Sequence, residues 1–435
     1  MSLSRTVNLN VFSQIFGKVF SATLGFATTI ILRRLFGAGT FGDYIFILSL
    51  VTLFVSLADF GTHLVSVNLA AQDRTKEAKV LGNAILLRLG LALATFLIFG
   101  LVILVFFSRQ AIFLNLVLTL PLIFLINFKD SLLVLFHIKM RLYFSSLQDF
   151  LVALLLFLAA VFTLLVKPEL AFYIILINCC YLIVAVPFFW LAHKKITISW
   201  QLDFKIIKKL FYQSAPLGII LVSYTLYSKV DTLILKFVWG SASVGVYGLS
   251  YKIYENLVLP AAFLMNAVLP IIAEQFKLVK LDKLFFLLQR MFDLLILGAL
   301  ALIILFYCLA PTLVKIFTGG QGDEVLLFRI LLLALPFAYL NHLTGYTNIV
   351  LSQQKKSLVI ALVALVFNFG ANLLLIPLFA GRGAAVITVL TQVLVFVLSL
   401  RVLNFKLKFR PRLYCWPKTL YDFIKLRGGI FDQSI

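Results

Sequence analysis

The stretch Thr29-Ile-Ile-Leu-Arg-Arg-Leu-Phe-Gly-Ala-Gly-Thr-Phe-Gly-Asp-Tyr44 returns 203 residues later as Thr232-Leu-Ile-Leu-Lys-Phe-Val-Trp-Gly-Ser-Ala-Ser-Val-Gly-Val-Tyr247. Thr29, Ile31, Leu32, Gly37, Gly42 and Tyr44 match Thr232, Ile234, Leu235, Gly240, Gly245 and Tyr247 without a gap, and Arg33 falls on Lys236. A period this long is not that of a solenoid. It marks a chain built from two similar halves, and in an apolar chain it points to a transporter whose cargo path lies between them.

The chain is apolar enough. Of its 435 residues 63% are hydrophobic, against about 45–50% in soluble domains, and mean hydropathy is +1.09. Apolar runs near the 20 residues needed to cross a bilayer recur along the whole length. The first run continues past residue 30 and carries Lys18, which argues against a cleavable signal peptide. The net charge of +21 does not indicate nucleic acid, because the basic residues sit at helix ends and within spans. Cys179, Cys180, Cys308 and Cys415 have no metal-ligand spacing and read as small apolar fillers. The four histidines are scattered, so neither a metal nor any other cofactor is expected.

Hydropathy predicts an all-α, polytopic membrane protein of about twelve transmembrane helices in two six-helix lobes. The spans are expected at 9–32, 43–66, 81–107, 111–136, 145–166 and 171–192, then 213–238, 244–273, 287–310, 325–350, 357–378 and 383–403. Six spans per half is an even number, so the repeats are parallel, related by an axis along the membrane normal. The expected domains are an N-terminal lobe (1–196), a cytoplasmic amphipathic linker (197–213), a C-terminal lobe (214–403) and a basic, aromatic cytoplasmic tail (404–435). Asp203 would cap a short helix over 203–213, lying on anionic lipid. On the amino-terminal side of the membrane fall 25 Lys and Arg residues. Only eight (Arg33, Arg34, Arg109, Lys167, Lys236, Lys315, Arg329 and Arg382) fall on the other. The positive-inside rule then places both termini and 193–212 in the cytoplasm, with 237–243 and 317–324 outside.

Polar residues recur at helical spacing in the first two spans: Asn10, Gln14, Lys18, Ser21, Gly25 and Thr28, then Ser49, Thr52, Ser56, Asp59, His63 and Ser66. Such stripes fit either an aqueous cavity or helix packing through small and hydroxyl residues, and the charges of Lys18 and Asp59 favour the cavity. The second half adds Lys229, Asp231, Lys236, Lys252 and Glu255, followed by Asn341, Thr344, Asn348, Asn368, Asn372, Thr388 and Gln392. A charge at the bilayer centre costs roughly 2.5–3.5 kcal/mol on insertion scales, so each must be paired, hydrated or functional. Arg88 and Lys129 are within snorkelling reach of the cytoplasmic face, and Arg290 and Asp293 would neutralise each other. Lys18 and Lys229 lie deepest.

Three motifs carry a family resemblance: Asn10-x3-Gln14-x2-Gly17-Lys18, Arg33-x-Leu35-Phe36-Gly37-x4-Gly42-x-Tyr44, and Ala58-Asp59-Phe60-Gly61. In this order they resemble the polysaccharide, or O-antigen (Wzx-type), flippases of the multidrug/oligosaccharidyl-lipid/polysaccharide (MOP) superfamily, over about residues 5–403. Phe36 stands where that family more often has Leu. The resemblance implies a non-enzymatic carrier in the bacterial cytoplasmic (inner) membrane. Its cargo would be an undecaprenyl-diphosphate-linked oligosaccharide moved to the outer leaflet, with a polysaccharide polymerase and chain-length partners beside it. Lys18, Arg33, Lys229, Lys236 and Lys252 would then meet the diphosphate, with Asn10, Gln14 and Asp59 also in the substrate site. Asp59, Asp231 or Glu255 would couple an ion. A cation-coupled drug exporter of the same superfamily would call for a more acidic cavity. A lipid II flippase usually carries two further spans, and a membrane glycosyltransferase or polymerase needs a larger outer loop than Lys315–Glu324.

Overall fold

A computed structural model describes residues 3–72, 77–138, 142–195, 198–279, 281–320 and 322–412. Within it lie eleven helices: α1 (Leu3–Asp59), α2 (Thr62–Gln72), α3 (Glu77–Phe107), α4 (Phe113–Ile138), α5 (Leu142–Val166), α6 (Leu170–Lys195), α7 (Phe204–Lys277), α8 (Leu281–Thr318), α9 (Glu324–Leu332), α10 (Leu335–Val350) and α11 (Gln354–Leu407). No strand occurs among the described residues. The basic, aromatic tail expected over 404–435 lies outside them from residue 413 onward.

Among the described residues eight helices are long and apolar enough to cross a membrane, or nine when α9 and α10, bent by 41°, count as one broken span. Three of them are too long for one crossing. The 74 residues of α7 would extend about 110 Å as a single rod, against a hydrocarbon core of about 30 Å. Each of the three is broken at one residue: α1 at Gly37, α7 at Gly240 and α11 at Ala380. Divided there, the described helices supply the twelve spans that hydropathy predicts.

The first two breaks are the same break. Gly37 has φ 65° and ψ −171°, and Gly240, its match at the repeat offset, has φ 77° and ψ −177°. This region is essentially open to glycine alone, since a Cβ would strain it. Burial agrees: Leu32 and Leu235 are fully buried, as are Phe41 and Val244.

The described residues divide into two compact units at Gly245, with 317–319 joining the first unit. In the first, α1 packs along α5, while α4 lies between α3 and α6. Gly17 makes the α1–α5 approach possible, for a Cβ there would stand 3.1 Å from that of Ser146. Farther along, Phe20 and Phe150 meet edge to face at 6.4 Å. The first limb of α7 (204–239) belongs to this unit as well. Asp203 caps it as expected, accepting from the amides of Lys205 and Ile206 at 2.9 and 3.3 Å. The short helix expected over 203–213 is not a separate element, however. No break follows it, and the helix runs straight on to Gly240.

In the second unit, α11 packs against α9 and α10. The polar residues of its spans knit helices together. Asn341 donates to the carbonyl and side chain of Gln392 at 3.0 and 2.7 Å, Asn368 donates to Thr391 at 2.9 Å, and Asn348 donates to the Ser399 carbonyl at 3.2 Å. For Asn341, Asn348, Asn368 and Gln392, helix packing is therefore the observed role.

Candidate functional site

Two polar centres stand out in the first unit, and each is built around an irregularity of the backbone. One lies in the second span. There α1 ends at Asp59, Phe60 and Gly61 follow with φ 41° and 70°, and α2 resumes at Thr62. A broken helix frees backbone groups that hydrocarbon cannot satisfy. Here the Thr62 hydroxyl donates to the Asp59 carbonyl at 2.6 Å, and the Phe60 amide donates to the Ser56 carbonyl at 3.0 Å. Arg88 of α3 reaches the break from beside it. Its Nη1 lies 2.6 Å from Oδ1 of Asp59 and its Nε donates to Ser131 at 2.8 Å. The Arg88 side chain is only 1% exposed, so it does not snorkel; it is an internal counter-ion. A cation beside the carboxyl end of α1 also opposes that helix's dipole. The backbone of α7 comes close to the same break, since a Cβ on Gly61 would stand 2.8 Å from the Gly218 amide nitrogen.

The other centre lies where the two copies of the repeat cross. A Cβ on Gly42 would run into the Ser241 carbonyl, and one on Gly245 into the Ala38 carbonyl. Ala38 and Ser241 are themselves matched at the repeat offset, so the contact is reciprocal and locally two-fold. The chemistry around it is not symmetric. Lys236 donates to both Asp43 and Ser241, and Ser241 donates to Asp43 at 2.7 Å. The positions matched to Asp43 and Ser241 are Val246 and Ala38. Arg33, matched to Lys236, is 8% exposed with its guanidinium 5.9 Å from the Phe41 ring.

A third cluster is simpler. Lys129 lies 3.0 Å from carboxylate oxygens of both Asp130 and Asp149, so it too is paired rather than snorkelling.

The other candidates are distributed as follows. Lys18 and Lys229 are half-buried on the first limbs of α1 and α7. Asp231 is 1% exposed, and its carboxylate accepts from the Thr232 amide at 2.6 Å. In the second unit Lys252 is half-buried and Glu255 exposed, beside a ladder of Tyr247, Tyr251 and Tyr254 with ring centroids 5.8 Å apart at each step. Asn10 and Gln14 fall on α1, but their side chains lie outside the described residues. Asp293 accepts from Gln289 at 2.8 Å, and the Arg290 guanidinium lies 5.3 Å from the Phe286 ring. The structure therefore joins two nominated residues to partners that sequence reasoning passed over: Asp59 to Arg88, and Lys236 to Asp43. Asp43 sat inside the repeat itself, where its replacement by Val in the second copy was the available signal.

A family model described as polysaccharide biosynthesis protein matches residues 8–276, and a MatE family model matches residues 216–375. No curated protein matches the chain. Among solved structures, an inward-facing multidrug-resistance MATE transporter of the MOP superfamily superposes with a TM-score of 0.76 at 14% identity, over 89% of this chain and 95% of its own. The lipid II flippase MurJ, in an inward closed conformation, gives 0.74 at 14% identity over 94% and 90%. A MOP-superfamily transporter from Pyrococcus furiosus gives 0.68 at 13% identity over 98% and 96%. Together with the long apolar helices, these likenesses show the fold, an all-α, multi-pass membrane architecture shared with those transporters.

Proposed function

The chain belongs to the polysaccharide biosynthesis protein family, and on that premise we propose that it is a flippase for undecaprenyl-diphosphate-linked oligosaccharide units, moving them from the cytoplasmic to the outer leaflet by alternating access. The observation that carries this reading is the family match, which covers all of the first compact unit but its first residues and 317–319. The cations support it. A diphosphate leaving water for a partly desolvated path needs fixed positive charge. Lys18, Arg33, Lys229, Lys236 and Lys252 supply that charge, Asn10 and Gln14 contact the cargo, and Asp59, Asp231 or Glu255 couples an ion. Both termini are cytoplasmic, and the polymerase and chain-length proteins act beside it. The two six-span repeats are joined by the polar stretch 197–213. The protein performs no covalent chemistry.

Lys18 and Lys229 decide the matter. Removing one well-placed cation from a charge-assisted contact loses roughly 1.5–3 kcal/mol, or about one to two decades in affinity. In a strain lacking its own flippase, with protein levels matched, Lys18→Ala and Lys229→Ala abolish or severely reduce polymer export. Lys→Arg at either site retains part of it. Normal export by both alanine variants would overturn the diphosphate reading.

The MatE match over residues 216–375 favours a second reading, a cation-coupled multidrug exporter. Drug efflux driven by an ion gradient, with no transfer of the lipid-linked oligosaccharide in the same vesicles, would decide for it.

A further inference from the structure

The two limbs of α11 enclose a groove of about 390 Å³, lined by Lys355, Lys356, Val359, Ile360, Leu398, Arg401 and Val402. Its composition is divided by position. Val359 and Ile360 on the first limb and Leu398 and Val402 on the second form aliphatic walls. Lys355, Lys356 and Arg401 form the mouth, and no carboxylate among the described residues lines it. All three cations are exposed, and the Lys356 ammonium lies 4.6 Å from the Phe405 ring.

In a membrane-spanning helix pair, an aliphatic groove is covered by lipid. The mouth determines which lipid. Three cations around one opening repel each other, and a zwitterionic headgroup brings no net charge to offset them. A headgroup phosphate carrying net negative charge makes charge-assisted hydrogen bonds to Lys and Arg instead. Free phosphate would use the mouth but gain nothing from the walls, whereas an acyl chain buries against Val359, Ile360, Leu398 and Val402.

We propose that this groove is a binding site for an anionic glycerophospholipid, its phosphate held by Lys355, Lys356 and Arg401 and one acyl chain lying along the aliphatic walls. The site is independent of the cargo. Only the leaflet that supplies the lipid, the inner one, depends on the orientation proposed above.

The test is native mass spectrometry of the full chain in detergent, titrated with dioleoylphosphatidylglycerol or dioleoylphosphatidylethanolamine. The anionic lipid binds about a hundredfold more tightly. At about fivefold per cation, K355A/K356A/R401A weakens it roughly a hundredfold and leaves the zwitterionic lipid unaffected. The charge-preserving K355R/K356R/R401K retains the preference, which excludes a folding defect as the cause. Millimolar inorganic phosphate leaves the lipid adduct in place. Equal binding of the two lipids, or an unchanged triple-alanine variant, would overturn the proposal. Displacement by inorganic phosphate would overturn the part played by the acyl chain.

Discussion

Gly42→Ala and Gly245→Ala probe the crossing of the repeats more directly than any charge substitution. At either position the added methyl meets backbone, the Ser241 or the Ala38 carbonyl, and not the movable end of a side chain. Overpacking of this kind costs about 1–3 kcal/mol, and the upper half of that range applies where the neighbour cannot turn aside. Because the two glycines face one crossing, whichever methyl comes first must push the limbs apart, and the second then enters a gap already opened. The double variant should therefore cost less than the sum of the singles, by about 1 kcal/mol or more. Gly90→Ala and Gly100→Ala in α3 are the controls, since a Cβ at either meets nothing within 4 Å and alanine favours the helix. Equilibrium unfolding in mixed detergent micelles, followed by tryptophan fluorescence, gives all the free energies needed, and Trp239 sits next to the elbow at Gly240. The crossing would be refuted by single costs under about 0.5 kcal/mol, or by strict additivity of the pair.

Three further outcomes are expected. Asp59→Ala leaves the buried Arg88 without its carboxylate and costs about 3–5 kcal/mol, whereas Asp59→Asn with Arg88→Met recovers much of that in the same unfolding assay; equal losses in both would show that Arg88 does not depend on Asp59. Asp43 and Lys236 should couple by about 0.5–3 kcal/mol in a double-mutant cycle, and zero coupling would mean that the pair is incidental. A single cysteine at residue 320, on a background lacking the four native cysteines, should react with an impermeant reagent in intact cells; labelling only after permeabilisation would reverse the proposed orientation.

Much of the fold was legible because its signals are local. Span length follows from runs of apolar residues, and the elbow at Gly240 could be read from Gly37 through the repeat. The breaks inside spans were harder. Phe60-Gly61 lies inside a span whose averaged hydropathy stays high across it, so hydropathy passes over the break, and its two left-handed residues follow from the fold around Asp59. The bend between α9 and α10 was hidden in the same way. For the candidate site, type and depth of charge were readable but partners were not. Asp43 and Lys236 are 193 residues apart, and nothing local to either points to the other. The polar residues of the later spans show the converse: spacing that suits a cavity suits an interhelical hydrogen bond equally well, as Asn368 and Thr391 demonstrate.

Residues 204–245 complete the first compact unit although they follow the polar connection after α6. This sets a condition on biogenesis. When that connection leaves the ribosome, six spans have been made, but Gly42 and Gly61 still lack the α7 backbone that covers them. The nascent unit must wait, with those faces open to lipid or to an insertion factor, until residue 245 has emerged. A gene divided at the connection would thus yield a first fragment without its own final helix, whereas one divided just after Gly245 would release a unit already closed.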